Sequence, residues 1–492
     1  MRFMAVYSRR YLLVHGAFMV AVLCLLAGYG LDPGRALAKW DGQHYLQIAS
    51  TGYDHKLTFL ANGKPARMNI AFFPLYPLLM SLSHTVTRLP LKLCGLLISL
   101  LASRATAVGL GVLLEPLFGR RAALMTVTLW AVGIDAIVQS MLYGQSLIAA
   151  LAVWGAIAVR RRRYLLAALC AFGAGLTHST GIGLIVVVMV GAVLGIREAV
   201  RRKAWRAAAA PAAAFVLAPM GLLGYIVFLA VRFHRADAWF LAESAPGWNS
   251  QFDAGKYTLS VLVGQLDGSR WHGVNGVSWL IASASLVPAS LVALWLLYDA
   301  EWWERLAARW PILRDLTLSL PARLRRGPAV LAPADGAAGG MDLTSIYAPS
   351  PATPAPATPA PATPAPATPT ISATAGTTGT AATAGPAGPA AAPAATTSPA
   401  DPVRQPGPRR PRVPWELTLA ALVTLAVTLT DSGPWNSKPR FLIPCLALFV
   451  PAALWLDRLG HRPFLRWGIV LAVALVSVLC SFYMDGPSPA AL

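Results

Sequence analysis

Apolar stretches long enough to cross a lipid bilayer recur throughout residues 11–483, and they constrain the fold of this chain more than any other feature. Crossing the hydrocarbon layer at helical rise takes roughly 17 to 25 residues. The stretches are continuous rather than alternating, which indicates helices and not a barrel. With 56% hydrophobic and only 13% charged residues among 492, the chain carries more apolar side chains than one soluble core can hide. The expected fold class is an all-α polytopic membrane protein.

The formal charge of +20 resides mostly in short clusters between apolar runs: Arg9 and Arg10, Arg120 and Arg121, residues 160–163, 201–203, 323–326 and 458–466. Clusters so placed orient spans, with the basic side facing the cytoplasm, and they leave no soluble basic domain for nucleic acid. Alternation between them gives eleven spans, at about residues 11–31, 91–114, 122–140, 144–159, 164–178, 179–196, 209–231, 277–298, 415–432, 440–457 and 467–484. A signal peptide ending near Ala36-Leu37-Ala38 is the alternative for the first of these, but the apolar stretch is long for one. The expected location is a cell membrane, with a cytoplasmic N-terminus and external loops at 32–90, 232–276 and 431–439. The first loop includes the semi-apolar stretch 70–82, broken by Pro74 and Pro77, which reads as a surface helix.

Three regions follow: residues 1–326 and 415–492 carry the spans, and residues 327–414 read as a disordered cytoplasmic linker. The linker contains PATPAPATPAPATPAPATPT and few large apolar residues, too few to build a core. The five cysteines lie in or beside apolar segments without metal-ligand spacing and read as buried small hydrophobes.

The densest polar constellation is WDGQHYLQIASTGY over residues 40–53, followed by AFFPLYPLL over residues 71–79. A carboxylate beside a Trp suits sugar chemistry, because aromatic faces pack on pyranose rings while Asp41 takes a proton from an attacking hydroxyl. An interfacial aromatic belt, with Asp41 capping a helix, accounts for the same residues. No Asp-x-Asp occurs and the loops are short, so a lipid phosphate is the expected leaving group rather than a nucleotide. Such a group needs nearby positive charge. Lys438 and Arg440 are candidates in the third external turn, Arg440 the better one for its planar fork; snorkelling to head groups is the alternative. His178, at the end of the fifth span, is either an interior histidine or a ligand. In the second loop Asp237, Trp239, Glu243, Trp248 and Asp253 either shape an acceptor site or anchor the interface. The pair Asp299 and Glu301, beside Trp302 and Trp303, reads as a helix-end feature.

The two motifs resemble those of the PIG-V type mannosyltransferases of the GT-C superfamily, in order and in spacing. Weaker echoes are Tyr143-Gly144-Gln145-Ser146-Leu147, residues 175–181 and residues 437–444. The resemblance implies a GT-C type bundle of about 11 transmembrane helices with surface helices in the first external loop. It also implies transfer of mannose, with inversion, from a polyprenyl-phosphate mannose donor to a hydroxyl of a glycolipid or glycoprotein acceptor. Asp41 would be the base, and Trp40, His44, Tyr45, Gln145, His178, Lys438 and Arg440 would bind substrate. No cofactor is assigned, and a divalent metal stays open. Gln145 stands where the family pattern has an acid, and Thr177-His178-Ser179 where it carries Arg. A lipid-linked sugar flippase and a catalytically silent membrane subunit are the alternatives.

Overall fold

The computed structural model describes residues 2–270, 273–299 and 412–485. The linker expected at 327–414 lies outside them except for its last three residues, as do Ala300, Glu301 and the cluster at 323–326. No strand occurs among the described residues, only two isolated bridges, Phe59 with Pro65 and Phe252 with Asp431.

The first helix, α1 (Arg2–Gly28), packs along both limbs of α5 (Leu91–Val132). Gly119 breaks α5 with φ 82° and ψ 164°, a conformation closed to residues with a Cβ. The side-chain partners show that the chain reverses there. On the first limb the Tyr7 hydroxyl donates to Glu115 and Arg104 Nε donates to Ser8 at 3.0 Å. On the second limb Arg10 Nε meets Thr128 at 2.9 Å, and His15 lies 2.9 Å from the Ala131 carbonyl. Moving up α1 therefore means descending one limb and climbing the other. The reversal falls beside Arg120 and Arg121, where the sequence separates its second and third spans.

Between α1 and α5 lie three shorter helices, α2 (Pro33–Ala36), α3 (Asp41–Thr51) and α4 (Leu75–Thr87). After α5 come α6 (Gln145–Arg160), α7 (Tyr164–Gly175), α8 (Ile182–Arg201) and α9 (Ala209–Arg232). The α7 and α9 backbones touch: a Cβ on Gly221 would lie 2.0 Å from the Phe172 carbonyl oxygen, and one on Gly175 would lie 2.7 Å from the Leu222 nitrogen. Small residues permit this approach where lipid offers no hydrophobic drive between helices. The described fold continues with α10 (Ala238–Glu243), α11 (Lys256–Leu266), α12 (Gly273–Asp299), α13 (Trp415–Leu429), α14 (Phe449–Arg458) and α15 (Pro463–Asp485).

Six helices among the described residues are long and apolar enough to cross a membrane, or seven counting one bent pair. The described residues are thus all-helical and of multi-pass character, while eleven crossings are not reproduced by this count. α6, α7 and α13 are shorter apolar helices. The stretch expected as a span at 440–457 is broken: the 3-10 helix Trp435–Leu442 and the helix pair Leu446–His461 meet at 82°. Pro439 and Pro444 remove backbone donors there, which disfavours a straight helix.

The expected span 122–140 also differs. Its helix ends at Val132, Asp135 takes a left-handed φ of 63°, and a short 3-10 turn, Ala136–Ser140, follows. Buried non-helical backbone is tolerated only where its polar groups find partners. Here side chains supply them: Ser477 donates to the Gly133 carbonyl at 2.6 Å, Ser146 to that of Gln139 at 3.1 Å, and Ser99 to that of Met141 at 2.9 Å.

The basic turns fall at one end of the bundle. α6 runs from Gln145 to Arg160, whose guanidinium pairs with Glu416 at the start of α13 (3.7 Å). Residues 161–163 and 202–203 turn at that same end, whereas the start of α6, residues 176–181 and the end of α13 gather at the other.

Candidate functional site

A cavity of about 600 Å³ opens at the end opposite the basic turns. Six segments wall it, with Met484 added: the start of α3, residues 67–73, the non-helical stretch 133–143, residues 178–180, the region from α10 to Phe252, and residues 427–441.

Asp41 enters the cavity from the first turn of α3. The preceding Trp40 has φ 57° and ψ −122°, a conformation usually left to glycine and costing on the order of 1–3 kcal/mol. Packing fixes it. The Leu142 amide donates to the Leu37 carbonyl at 3.1 Å, and a Cβ on Gly42 would sit 3.2 Å from that of Leu142. The indole N–H of Trp40 is buried without a hydrogen-bond partner. From the opposite wall Arg440 reaches Asp41, with Nη1 2.7 Å from Oδ2. Their side chains are 19% and 12% exposed, so the contact is only weakly screened by water. The Arg440 guanidinium also lies 5.6 Å from the Tyr143 ring and 5.1 Å from that of Phe441, and its Nε is buried without a partner.

His44 stacks on Phe72 (4.7 Å between centroids) and meets Trp248 edge-on at 5.4 Å. Burial pulls its pKa below the usual imidazole value against the opposing pull of Asp41, and Arg67 lowers it further, so the ring is neutral at pH 7. His178 accepts the Thr180 backbone N–H on Nδ1 at 3.1 Å, which puts any proton of the neutral ring on Nε2. The backbone of AFFPLYPLL, which Pro74 keeps from being one helix, is held by distant donors. Tyr225 gives its hydroxyl to the Ile70 and Phe72 carbonyls at 2.9 Å, Tyr53 donates to Phe72 at 2.8 Å, and Trp239 donates to Ala71 at 3.3 Å. These bonds carry Phe72 and Phe73 into the cavity wall.

Of the residues singled out in the sequence, Trp40, Asp41, His44, His178 and Arg440 line this one cavity. Tyr45, Gln145 and Lys438 do not. Tyr45 is packed edge-on against Phe72 and Tyr76. Gln145 is buried at the start of α6, with its Oε1 unpartnered. Lys438 is fully buried, and its ammonium donates to the carbonyls of Thr428 (2.7 Å) and Asp431, closing the end of α13. Replacing Lys438 with Met is therefore expected to cost about 1–3 kcal/mol of stability by leaving buried carbonyls unpaired. Thermal melting of the purified variant checks this; an unchanged midpoint would return Lys438 to the list of ligand-binding groups.

No protein family, curated protein or solved structure matches this chain.

Three cavity groups escape sequence reading. Asp135 sat within an expected span, although an acid inside an apolar run is itself a mark of function. Arg67 donates from Nε to the Pro246 carbonyl at 3.0 Å and joins the first loop to the second. Asp431 accepts from Ser250 at 2.9 Å, and its neighbours zip onto the second loop through Asp253 N to Thr430 O (2.9 Å) and Ser432 N to Gln251 O (2.9 Å). Among the described residues no three His, Cys, Asp or Glu side chains gather as a metal-binding set.

Proposed function

We propose that this chain is a membrane glycosyltransferase of GT-C type that moves mannose from a polyprenyl-phosphate mannose to an acceptor hydroxyl, on the non-cytoplasmic side of a cell membrane. The observation that carries the reading is the 2.7 Å contact between Asp41 and Arg440 inside an aromatic-lined cavity. It pairs a proton acceptor with a guanidinium whose planar fork suits a phosphate. The basic turns at the opposite end of the bundle favour an external cavity by the positive-inside rule. Eleven crossings, some of them by short or bent helices, belong to the same proposal.

In this reaction the acceptor oxygen attacks the anomeric carbon, opposite the phosphate. Its proton passes to the Asp41 carboxylate as the new C–O bond forms. The old bond to the phosphate oxygen breaks, and the electron pair leaves on the lipid phosphate, where two parallel N–H donors of Arg440 stabilise it. Trp239, Trp248 and Phe72 offer ring faces to the sugars.

Purified protein in vesicles, given radiolabelled polyprenyl-phosphate mannose and a mixture of membrane lipids and proteins, is expected to place label on an acceptor. Movement of the donor across the bilayer without transfer would indicate a flippase, and neither event a silent subunit; both refute the proposal.

A further inference from the structure

At the end of the bundle that holds the basic turns, two arginines share one indole. The Arg10 guanidinium lies 4.9 Å from the centre of the Trp467 ring, and that of Arg466 lies 5.3 Å from it. Both side chains are half-buried, and they stand close enough for the charge of one to oppose that of the other. Arg10 Nε is taken by Thr128 at 2.9 Å. Arg466 lies over the turn at 459–461, with Nη1 3.8 Å from where a Cβ on Gly460 would be, and its Nε is buried without a partner. Among the described residues neither guanidinium forms an ion pair. The acids on the adjoining elements do not serve: Glu115 takes the Tyr7 hydroxyl, and Asp457 pairs with neither arginine. An indole face attracts a cation without neutralising it, so the pair retains two positive charges withdrawn from water.

The height of the pair in the membrane decides which anion suits it. Helices α1 and α15 run side by side in the same direction: Arg10 meets Trp467 near their starts, and Tyr29 meets Phe482 at 4.8 Å near their ends. Arg10 and Tyr29 are about 28 Å apart at helical rise, close to the roughly 30 Å of a hydrocarbon layer. Met484, two residues beyond Phe482, borders the cavity. The arginine pair therefore stands at the other bilayer surface, at the level of lipid phosphates. From it toward the middle of the layer, the exposed Leu13 on α1 and Leu471 and Leu475 on α15 continue as apolar surface for acyl chains.

We propose that Arg10, Arg466 and Trp467 form a site for the phosphate of an anionic membrane phospholipid, on the face opposite the cavity. Each guanidinium offers paired N–H donors that match phosphate oxygens. A zwitterionic head group carries its own cation into the same place, so a head group of net negative charge is preferred. Nothing in this site depends on the transfer chemistry above.

The test uses the full chain purified in detergent. Native mass spectrometry counts bound lipid during titration with phosphatidylglycerol or with phosphatidylcholine of the same acyl chains. A basic group near a head group is worth a factor of about five, so the two arginines should make phosphatidylglycerol bind about thirtyfold more tightly than phosphatidylcholine. Arg466→Gln is expected to cut that preference about fivefold, and Arg466→Lys, which keeps the charge, to retain most of it. Arg162→Gln combined with Arg163→Gln removes two exposed charges from a basic turn and should leave the preference within about twofold. Excess inorganic phosphate should not displace the lipid. A photoactivatable phosphatidylglycerol should label wild-type peptides containing Arg10 or Trp467, a readout that needs no variant to fold. No wild-type preference, an undiminished one in Arg466→Gln, an equal loss in the Arg162 and Arg163 variant, displacement by inorganic phosphate, or labelling confined to other peptides would each overturn the proposal.

Discussion

Asp41→Asn is expected to slow sugar transfer by about 10²- to 10⁴-fold, the usual worth of a positioned general base. The substitution keeps the shape of the side chain while removing its charge. Asparagine has almost the same shape, and its carbonyl oxygen can still accept from Arg440 where the carboxylate now does at 2.7 Å. The strained turn at Trp40 is held by contacts between residues 37–42 and Leu142, none of which uses the Asp41 side chain. The variant should therefore insert, fold and bind donor, melting somewhat below the wild type because the buried Arg440 keeps a hydrogen bond but loses its charge partner. Turnover under saturating donor, measured beside thermal melting, separates the cases: a stable protein with full activity would remove Asp41 from the chemistry.

The second large effect is expected at Arg440. Arg440→Ala deletes the only ion-pair partner seen for Asp41 among the described residues, and stripping one member from a buried pair costs on the order of 3–5 kcal/mol. Loss of activity in that variant alone could thus reflect unfolding. Arg440→Lys keeps the charge and sacrifices the planar fork. Losing one charge-assisted hydrogen bond of about 1.5–3 kcal/mol should raise the KM for donor roughly 10- to 100-fold. Acceptor KM should move far less. The double variant Asp41→Asn with Arg440→Ala removes both charges, and it is expected to recover much of the stability lost in Arg440→Ala. If donor KM stays at the wild-type value in a folded Arg440→Lys protein, the phosphate does not sit on this residue.

Much of the helical framework was legible because a bilayer imposes a length on apolar runs. The helices α1, α8, α9, α12 and α15 fall where continuous hydrophobicity put spans, and the α5 reversal falls at a basic pair following a Pro and a Gly. Residues 133–144 were not legible. Composition there is as apolar as in a helix, and what permits a non-helical path is a set of hydroxyls donated by nearby Ser146 and by Ser99 and Ser477, which are distant in sequence. Asp135 was hidden by the same misreading.

The site divides along similar lines. Trp40, Asp41 and His44 sit within one motif and reach one cavity, because a helix start carries neighbouring residues together. Lys438 and Arg440 looked interchangeable as cations in a short turn. A 3-10 path sends one to the carbonyls closing α13 and the other to Asp41, a distinction composition does not contain. Glu243 was noticed only as one acid among several in its loop, since its closeness to Asp431 depends on pairing between segments on either side of residues 300–411.

That pairing bears on truncated forms of the protein. Asp41, His44 and Glu243 precede residue 300, whereas Asp431, Arg440 and Phe441 follow residue 411, and all six border a single cavity. A product ending anywhere in the intervening stretch would retain five of the six membrane-length helices yet possess half a site. Detecting such a shortened chain in a membrane fraction would say nothing about whether it can bind or react.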